Sequence, residues 1–129
     1  MLNNQPLNIL LESLNQPLIE MANIYKADYD LPVNCWISSE TQNKHLPRIK
    51  VQQDKGNKLN YGNFCSVSIS NNPEVLAGKW LLRSKDTQDI FAFIEENVEE
   101  LLDMWYNECS AVEATNRIKQ RRNQLRKDI

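Results

Sequence analysis

The chain has few of the residues from which catalytic and metal sites are commonly built. Its 129 residues include one histidine, His45, with three cysteines and three glycines. With so little glycine there is no Gly-rich phosphate loop, and the H-E-x-x-H, G-x-S-x-G and EF-hand patterns are also missing. We therefore expect no catalytic residue, no metal and no cofactor.

The cysteines are too few and too scattered for a disulfide framework or a zinc site. Cys35, Cys65 and Cys109 form an odd set without a C-x-x-C pair, so we expect reduced, structural thiols. A catalytic thiol needs a nearby base. Cys35 and His45 are thus the one nucleophile–base pair that the chain allows, and a small enzyme using them is our second alternative for function.

Long apolar runs and a targeting pattern are missing as well. The longest apolar runs span a few residues, against about 20 for a membrane helix, and residues 1–6 lack the basic and apolar regions of a signal peptide. We expect a cytoplasmic protein with no membrane partner. Its length suits one domain, and no repeat or linker divides it.

Charge is distributed unevenly along the chain. The net charge of −2 conceals +2 over residues 1–85, −8 over residues 86–108 and +4 over residues 109–129. The middle segment has eight acidic residues and no lysine or arginine. Opposite charges in consecutive segments indicate surfaces that meet each other or a partner.

Residues 6–28 follow a helical pattern, with apolar residues at three- and four-residue spacing. These are Leu7, Leu10, Leu11, Leu14, Leu18, Met21 and Ala22. Pro17 interrupts the pattern and removes a backbone hydrogen bond, so we predict a kink or two short helices.

The middle of the chain alternates apolar and polar residues, which is the period of a strand. The alternation covers residues 33–37, 48–52 and 65–70. One polar face on each strand is typical of a half-exposed antiparallel sheet. Residues 54–63 contain two glycines and three asparagines, which predicts a long hairpin loop.

The last of these strands carries Ser66, Ser68 and Ser70 on one face. We interpret this row as a solvated face, and a docking face for an added strand or peptide is the alternative. Beyond it, residues 74–77 are predicted to form one helical turn that Gly78 ends. Residues 79–83 are predicted to form a short fourth strand or an extended cover.

Residues 87–106 are predicted to form a long amphipathic helix, with Ser84 or Asp86 as its cap. Its apolar stripe is Ile90, Phe93, Ile94, Val98, Leu101, Leu102 and Trp105, widened by Phe91 and Met104. The acidic face consists of Glu95, Glu96, Glu99, Glu100 and Asp103. Burial of four large apolar side chains, at about 1.5–3 kcal/mol each, outweighs acid–acid repulsions of a few tenths. The helix therefore packs on the sheet.

The acidic face has two interpretations. Glu95 and Glu99 lie on one side of a helix and could serve as paired carboxylates. Carboxylate-bridged metal sites, however, recruit histidine and a second helix, so we interpret the row as a solvated or partner-binding face.

A last helix is predicted from the Ser110–Glu113 capping box. Its basic residues are Arg117, Lys119, Arg121, Arg122, Arg126 and Lys127. The apolar seam of Ala111, Ala114, Ile118 and Leu125 is thin. A helix with so little to bury is expected to project or fray unless a partner covers it.

Together these elements predict an α+β fold. N-terminal helices, an antiparallel sheet of three or four strands and the long helix form one domain over residues 1–109, and residues 110–129 form a basic helical extension. The predicted core contains Ile49, Val51, Val67, Ile69, Ile90, Ile94, Leu101 and Trp105.

A pattern of scaffold residues runs from residue 46 to residue 108. It consists of Leu46–Gln52, then Val67-Ser68-Ile69 with Asn72-Pro73, then Phe93–Asn97 and Leu101-Leu102 before Trp105 and Glu108. It resembles small bacterial proteins that are often associated with mobile elements. The resemblance implies a bacterial or phage origin and carries over no functional residue.

These observations favour a non-catalytic interaction or regulatory protein. It would bind a protein or nucleoprotein partner, or a second copy of itself, through its acidic and basic helices. Clustered carboxylates could also stand in for the phosphates of a nucleic acid. The first alternative is direct nucleic-acid binding by the basic helix, against which stand an acidic pI of 5.4 and the absence of aromatic residues in the tail.

Overall fold

A five-stranded antiparallel sheet forms one layer of the described structure. The computed structural model describes residues 21–38, 45–106 and 111–127, and all their side chains except those of residues 21, 111 and 125–127. The strands are β1 (Met21–Ile24), β2 (Cys35–Ser38), β3 (Arg48–Gln52), β4 (Phe64–Ser68) and β5 (Val75–Ala77). Each strand pairs with the next one along the chain, so the sheet is a simple meander.

The strand register places apolar residues in rows across the sheet. Ile24 lies opposite Cys35, Cys35 opposite Val51, and Val51 opposite Cys65, and none of the four side chains is exposed. Because side chains alternate between the two faces of a strand, this face of the sheet is the one that packs into the core.

Four helices complete the fold of the described residues. They are α1 (Lys26–Tyr29), α2 (Ser84–Glu96), α3 (Val98–Tyr106) and α4 (Ala111–Lys127). The eight residues predicted for the core are all buried within one cluster: Ile49, Val51, Val67, Ile69, Ile90, Ile94, Leu101 and Trp105. The predicted α+β class is therefore confirmed.

The N-terminal helix prediction is wrong where the structure can be compared with it. Residues 1–20 lie outside the described residues, but Met21–Ile24 is strand β1 and only Lys26–Tyr29 is helical. Ala22 and Ile24 are buried with Asn23 between them, which is the period of a strand. The strand is so short that its alternation was hidden inside the three- and four-residue spacing around it.

The helical turn predicted before Gly78 is also wrong. Residues 75–77 form strand β5 rather than a helical turn, and the Ser68 N–H donates to Glu74 O at 2.9 Å. Residues 79–83 form no strand. Instead, the half-buried Trp80 and Leu82 pack against the core. This segment is therefore the extended cover that was the alternative to a fourth strand.

The serine row of β4 is neither a solvated face nor a free docking edge. Ser66 is 4% exposed, and the Ser68 hydroxyl accepts the Glu74 N–H at 2.9 Å. The β4 backbone is paired on one side with β3 and on the other with β5. An added strand therefore finds no unpaired edge on β4.

The predicted long helix is divided in two at Asn97. Its cap also differs from the prediction, because Arg83 occupies the N-cap position without a side-chain cap hydrogen bond. Asn97 is fully buried, and its Nδ2 donates to Phe93 O at 2.8 Å. This side-chain bond to the backbone competes with the regular helix, so α2 ends and α3 begins on its far side.

The last helix lies against the domain over its described first part. The side chains of Ala114 and Ile118 are completely buried and belong to the main core. The projecting helix predicted from the thin apolar seam is therefore wrong for this part of α4. Two side chains suffice because α4 packs against both α1 and α3. The domain boundary at residue 109 and the Ser110 cap lie outside the described residues.

Candidate functional site

The acidic and basic segments meet inside the molecule. Three arginines of α4 face three acids of α2 and α3, and Arg121 pairs with Glu100 through both carboxylate oxygens. Arg117 lies 3.3 Å from Asp103 and Arg122 lies 3.6 Å from Glu96. The two charged segments thus form a junction within one chain.

Arg121 is placed at the break between α2 and α3. Its Nη1 lies 2.8 Å from Glu100 Oε2, 2.9 Å from Asn97 Oδ1 and 3.0 Å from Glu96 O. One guanidinium therefore binds the last carbonyl of α2, the residue at the break and an acid of the first turn of α3.

Helix electrostatics explain why these charges are favourable at the junction. A helix end carries a partial negative charge at its C-terminus and a partial positive charge at its N-terminus. The break at Asn97 creates one end of each kind, with Arg121 at the end of α2 and Glu99 and Glu100 in the first turn of α3. In an unbroken helix these two glutamates would lie mid-helix and gain nothing from the dipole.

The Glu100–Arg121 pair shifts both pKa values toward the charged forms. The hydrogen bond from Arg121 holds the pKa of the Glu100 carboxyl below its usual range, although burial of the carboxyl opposes this. Hydrogen bonding to Glu100 in turn raises the pKa of Arg121. Glu100 is therefore ionised while its side chain is only 3% exposed.

Two acids of the predicted face are left without such a partner. Glu95 and Glu99 are exposed, and within the described ranges neither forms an ion pair. Glu96, Glu100 and Asp103 are each paired with an arginine. Within the described ranges, Glu95 and Glu99 are thus the acids of this face that form no ion pair.

These two acids line a surface groove of about 420 Å³, hereafter the acidic groove. The half-buried Val98 and Leu102 give it an apolar side. Its lining consists of Asn71, Glu95, Glu96, Val98, Glu99, Glu100, Leu102 and Arg121. The arrangement offers hydrogen-bond acceptors, negative charge and apolar surface together, which suits a basic group carried on an apolar stem.

The remaining basic residues of α4 do not form one open row. Lys119 Nζ lies 5.5 Å from the centre of the Tyr29 ring, and Arg122 Cζ lies 5.4 Å from that of Phe93. The side chains of Arg126 and Lys127 are outside the described part of the chain. Arginines that are already paired with carboxylates are poorly placed to neutralise phosphates.

The thiol–imidazole pair has no catalytic arrangement. Cys35 is fully buried, and burial raises the pKa of its thiol to about 12, so the nucleophilic thiolate does not form near neutral pH. His45 is exposed in the segment before β3. Cys65 is a free, buried cysteine as well, and Cys109 lies outside the described residues.

The described residues contain neither a cluster of metal ligands nor a helix suited to a membrane. Across residues 21–38, 45–106 and 111–127, no group of three or more histidine, cysteine or acidic side chains is placed to hold a metal ion. Among the same residues, no helix combines the length and apolarity needed to cross a membrane. In comparisons with known proteins, no family model, no curated protein and no solved structure matches the chain.

Sequence reasoning found the acids and arginines of the junction but not its organisation. Asn97 and Asn71 were missed, although Asn97 interrupts the apolar and acidic pattern of the helix and is a residue that favours helix ends. Asn71 comes from the segment between β4 and β5, and only the sheet topology brings it to the groove.

Proposed function

We propose that this protein is a non-catalytic binding domain whose acidic groove takes a basic segment of a protein partner. The observation that carries the proposal is the unequal pairing of the acids. Three of them form ion pairs with arginines of α4, whereas the exposed Glu95 and Glu99 form none within the described residues.

The shape of the groove supports the same partner class. A volume of about 420 Å³ falls within the usual range of about 300–1,000 Å³ for binding clefts. Lysine and arginine side chains lay their apolar stems on apolar surface while their charged ends reach acceptors. Val98 and Leu102 offer that apolar surface, and Glu95 and Glu99 offer the acceptors.

In this proposal the basic helix α4 supports the groove and is not itself the partner-binding surface. Arg117, Arg121 and Arg122 are already paired within the chain, so their charge is largely compensated before a second copy or a nucleic acid approaches. Their role is to hold the junction, and Arg121 also lines the groove. A bacterial or phage origin, and a nucleoprotein as the carrier of the basic segment, belong to the same proposal.

The test measures the affinity of the protein for a labelled lysine- and arginine-rich peptide by fluorescence anisotropy at several salt concentrations. The double variant Glu95→Gln, Glu99→Gln should bind more weakly. Exposed ion pairs are worth about 0.2–1 kcal/mol each, which corresponds to about a two- to thirtyfold loss for the two. Rising salt should weaken wild-type binding.

A matched control keeps the change in net charge but moves it away from the groove. Glu74→Gln with Asp89→Asn also removes two exposed acids, neither of which lines the groove. We expect this variant to bind like the wild type. Equal losses in both double variants would show a general effect of net charge, and tighter binding of duplex DNA or RNA than of the peptide would favour the nucleic-acid alternative.

A further inference from the structure

A second, smaller pocket lies between α1 and α4. Its volume is about 100 Å³, and its lining consists of Asp28, Tyr29, Lys119, Arg122 and Asn123. None of these residues lines the acidic groove. The pocket is therefore a separate place on the molecule, with two cationic side chains and one carboxylate.

Both cationic side chains of this pocket have hydrogen-bond donors without an acceptor among the described residues. Arg122 Nε is buried and has no hydrogen-bond partner among the described residues. Over the same residues Lys119 forms no ion pair, and its ammonium is held over the Tyr29 ring. A buried donor without a partner costs free energy, and Arg122 is one of the residues that line the pocket.

The pocket also contains a carboxylate that these cations do not neutralise. Asp28 lines the same space, yet in the described structure no ion pair joins it to Lys119 or Arg122. Arg122 Nη1 also lies 3.6 Å from Glu96, so Lys119 is the lining cation that forms no ion pair within the described ranges.

We infer that this pocket binds a small oxyanion of phosphate size. Arginine and lysine are the side chains that most often bind phosphate oxygens, and the Asn123 amide adds a further donor type. A volume of about 100 Å³ suits a group of phosphate size.

Asp28 determines which form of the anion is bound. Its carboxylate repels a fully ionised oxyanion, whereas a hydrogen-bearing oxygen of the ligand donates to it. The pocket therefore favours dihydrogen phosphate over the more highly charged hydrogen phosphate dianion, with an O–H toward Asp28 and the bare oxygens toward Lys119 and Arg122. The inference does not depend on the acidic groove, because the two sites take ligands of opposite charge.

The experiment is a titration of the full chain with inorganic phosphate at constant ionic strength. NMR chemical shifts report the binding, and sodium chloride is the reference titrant. Saturable shifts confined to α1 and α4 are expected. Lys119→Gln and Arg122→Gln should each weaken binding about tenfold, because each removes a hydrogen bond to a charged group. Asp28→Asn should strengthen the binding of the dianion at high pH.

Lys79→Gln is the control, since Lys79 is exposed and distant in sequence from the pocket lining, and it should leave phosphate affinity unchanged. Arg122 also packs on Phe93, so Lys119→Gln and Asp28→Asn serve as the variants that keep the core contacts. Absence of saturation, or weakening by Lys79→Gln equal to that by Lys119→Gln, would overturn the inference. A phosphoserine peptide that binds more tightly than inorganic phosphate would identify a modified partner as the source of the anion, and equal or weaker binding would identify the free ion.

Discussion

Glu100 is a carboxylate that the fold keeps both buried and ionised. Removing a carboxylate from water is costly unless a partner compensates for it. Arg121 compensates through both carboxylate oxygens, and its own side chain is 38% exposed, so part of its charge remains solvated. The pair is therefore intermediate between a surface ion pair and a fully buried one.

Replacing Arg121 by glutamine should lower the free energy of unfolding by more than about 1.5 kcal/mol, the lower bound for hydrogen bonds to charged groups. The loss should remain below the ~3–5 kcal/mol of a fully buried pair. Urea denaturation measures the difference. Arg117→Gln is the matched control, because its side chain is 44% exposed, and we expect it to cost less than about 1 kcal/mol.

The same pair predicts how stability depends on pH. The folded-state pKa of Glu100 is lowered, so its contribution is fully present above the ordinary value of 4.5 and is lost as the pH falls through the folded-state pKa. The wild type should therefore lose stability on acidification below pH 4.5 more steeply than Arg121→Gln. Parallel curves for the two proteins in this range would show that the pair does not contribute to the pH dependence.

Gly78 has a backbone conformation that other residues rarely adopt, with φ at 95°. A Cβ at this position would lie 2.8 Å from Cys65 Sγ and 3.0 Å from Phe64 O. Gly78→Ala should therefore destabilise the protein by about 1–3 kcal/mol, the usual cost of a strained backbone position. Gly62→Ala is the control, because its new Cβ would lie 3.5 Å from the nearest atom, Asn60 Oδ1. Thermal unfolding should show no loss of stability for this variant.

At the scale of elements, α4 is held by few but fully buried side chains. Ile118→Ala should cost about 2–5 kcal/mol, as expected for a large-to-small change in a core. Val112, on the same helix, is 68% exposed, and Val112→Ala should stay within about 0.5 kcal/mol. A small effect at Ile118, measured by urea denaturation, would show that the helix does not belong to the core.

Deletion of residues 116–129 extends this test to the whole helix. A projecting helix predicts a truncated protein that remains folded, whereas the burial of Ile118 and the pairing of Arg121 predict one that is unfolded or strongly destabilised. Circular dichroism of the truncated chain distinguishes the two outcomes. The burial and pairing favour loss of the native spectrum.

Sequence pattern was informative where an element buries one regular face. The alternation identified β3 and β4, and the apolar stripe identified the helical segment and the core, although not the division of the helix at Asn97. It was misleading for β1 and β5, which have four and three residues. Segments that short contain too few positions to separate a period of 2 from one of 3.6.

The candidate site could be predicted only in its residue types. The acids and arginines are visible as two charged blocks, but which acid faces which arginine depends on how α4 returns over the α2–α3 junction. Arg121 and Glu100 are 21 positions apart, and no local pattern relates residues at that distance. Likewise, no local pattern shows that Glu95 and Glu99 are the acids left without an ion pair.

At the scale of the whole molecule, three arginines of α4 are paired with acids of the same chain. With Arg117, Arg121 and Arg122 engaged within the chain, we expect light scattering to give the same mass at low and high salt. The physical reason is that an ion pair already formed gains little from exchange with an identical one. A mass that falls as salt rises would instead support self-association through the charged helices.

The distance between Glu100 and Arg121 along the chain has a consequence for the growing polypeptide. Ribosomes add about 5–20 residues per second, so about 1–4 s separate the synthesis of two residues that are 21 positions apart. During this interval the nascent chain contains the Glu100 carboxylate but not its guanidinium. The junction at Asn97 can therefore close only after this part of α4 has been synthesised.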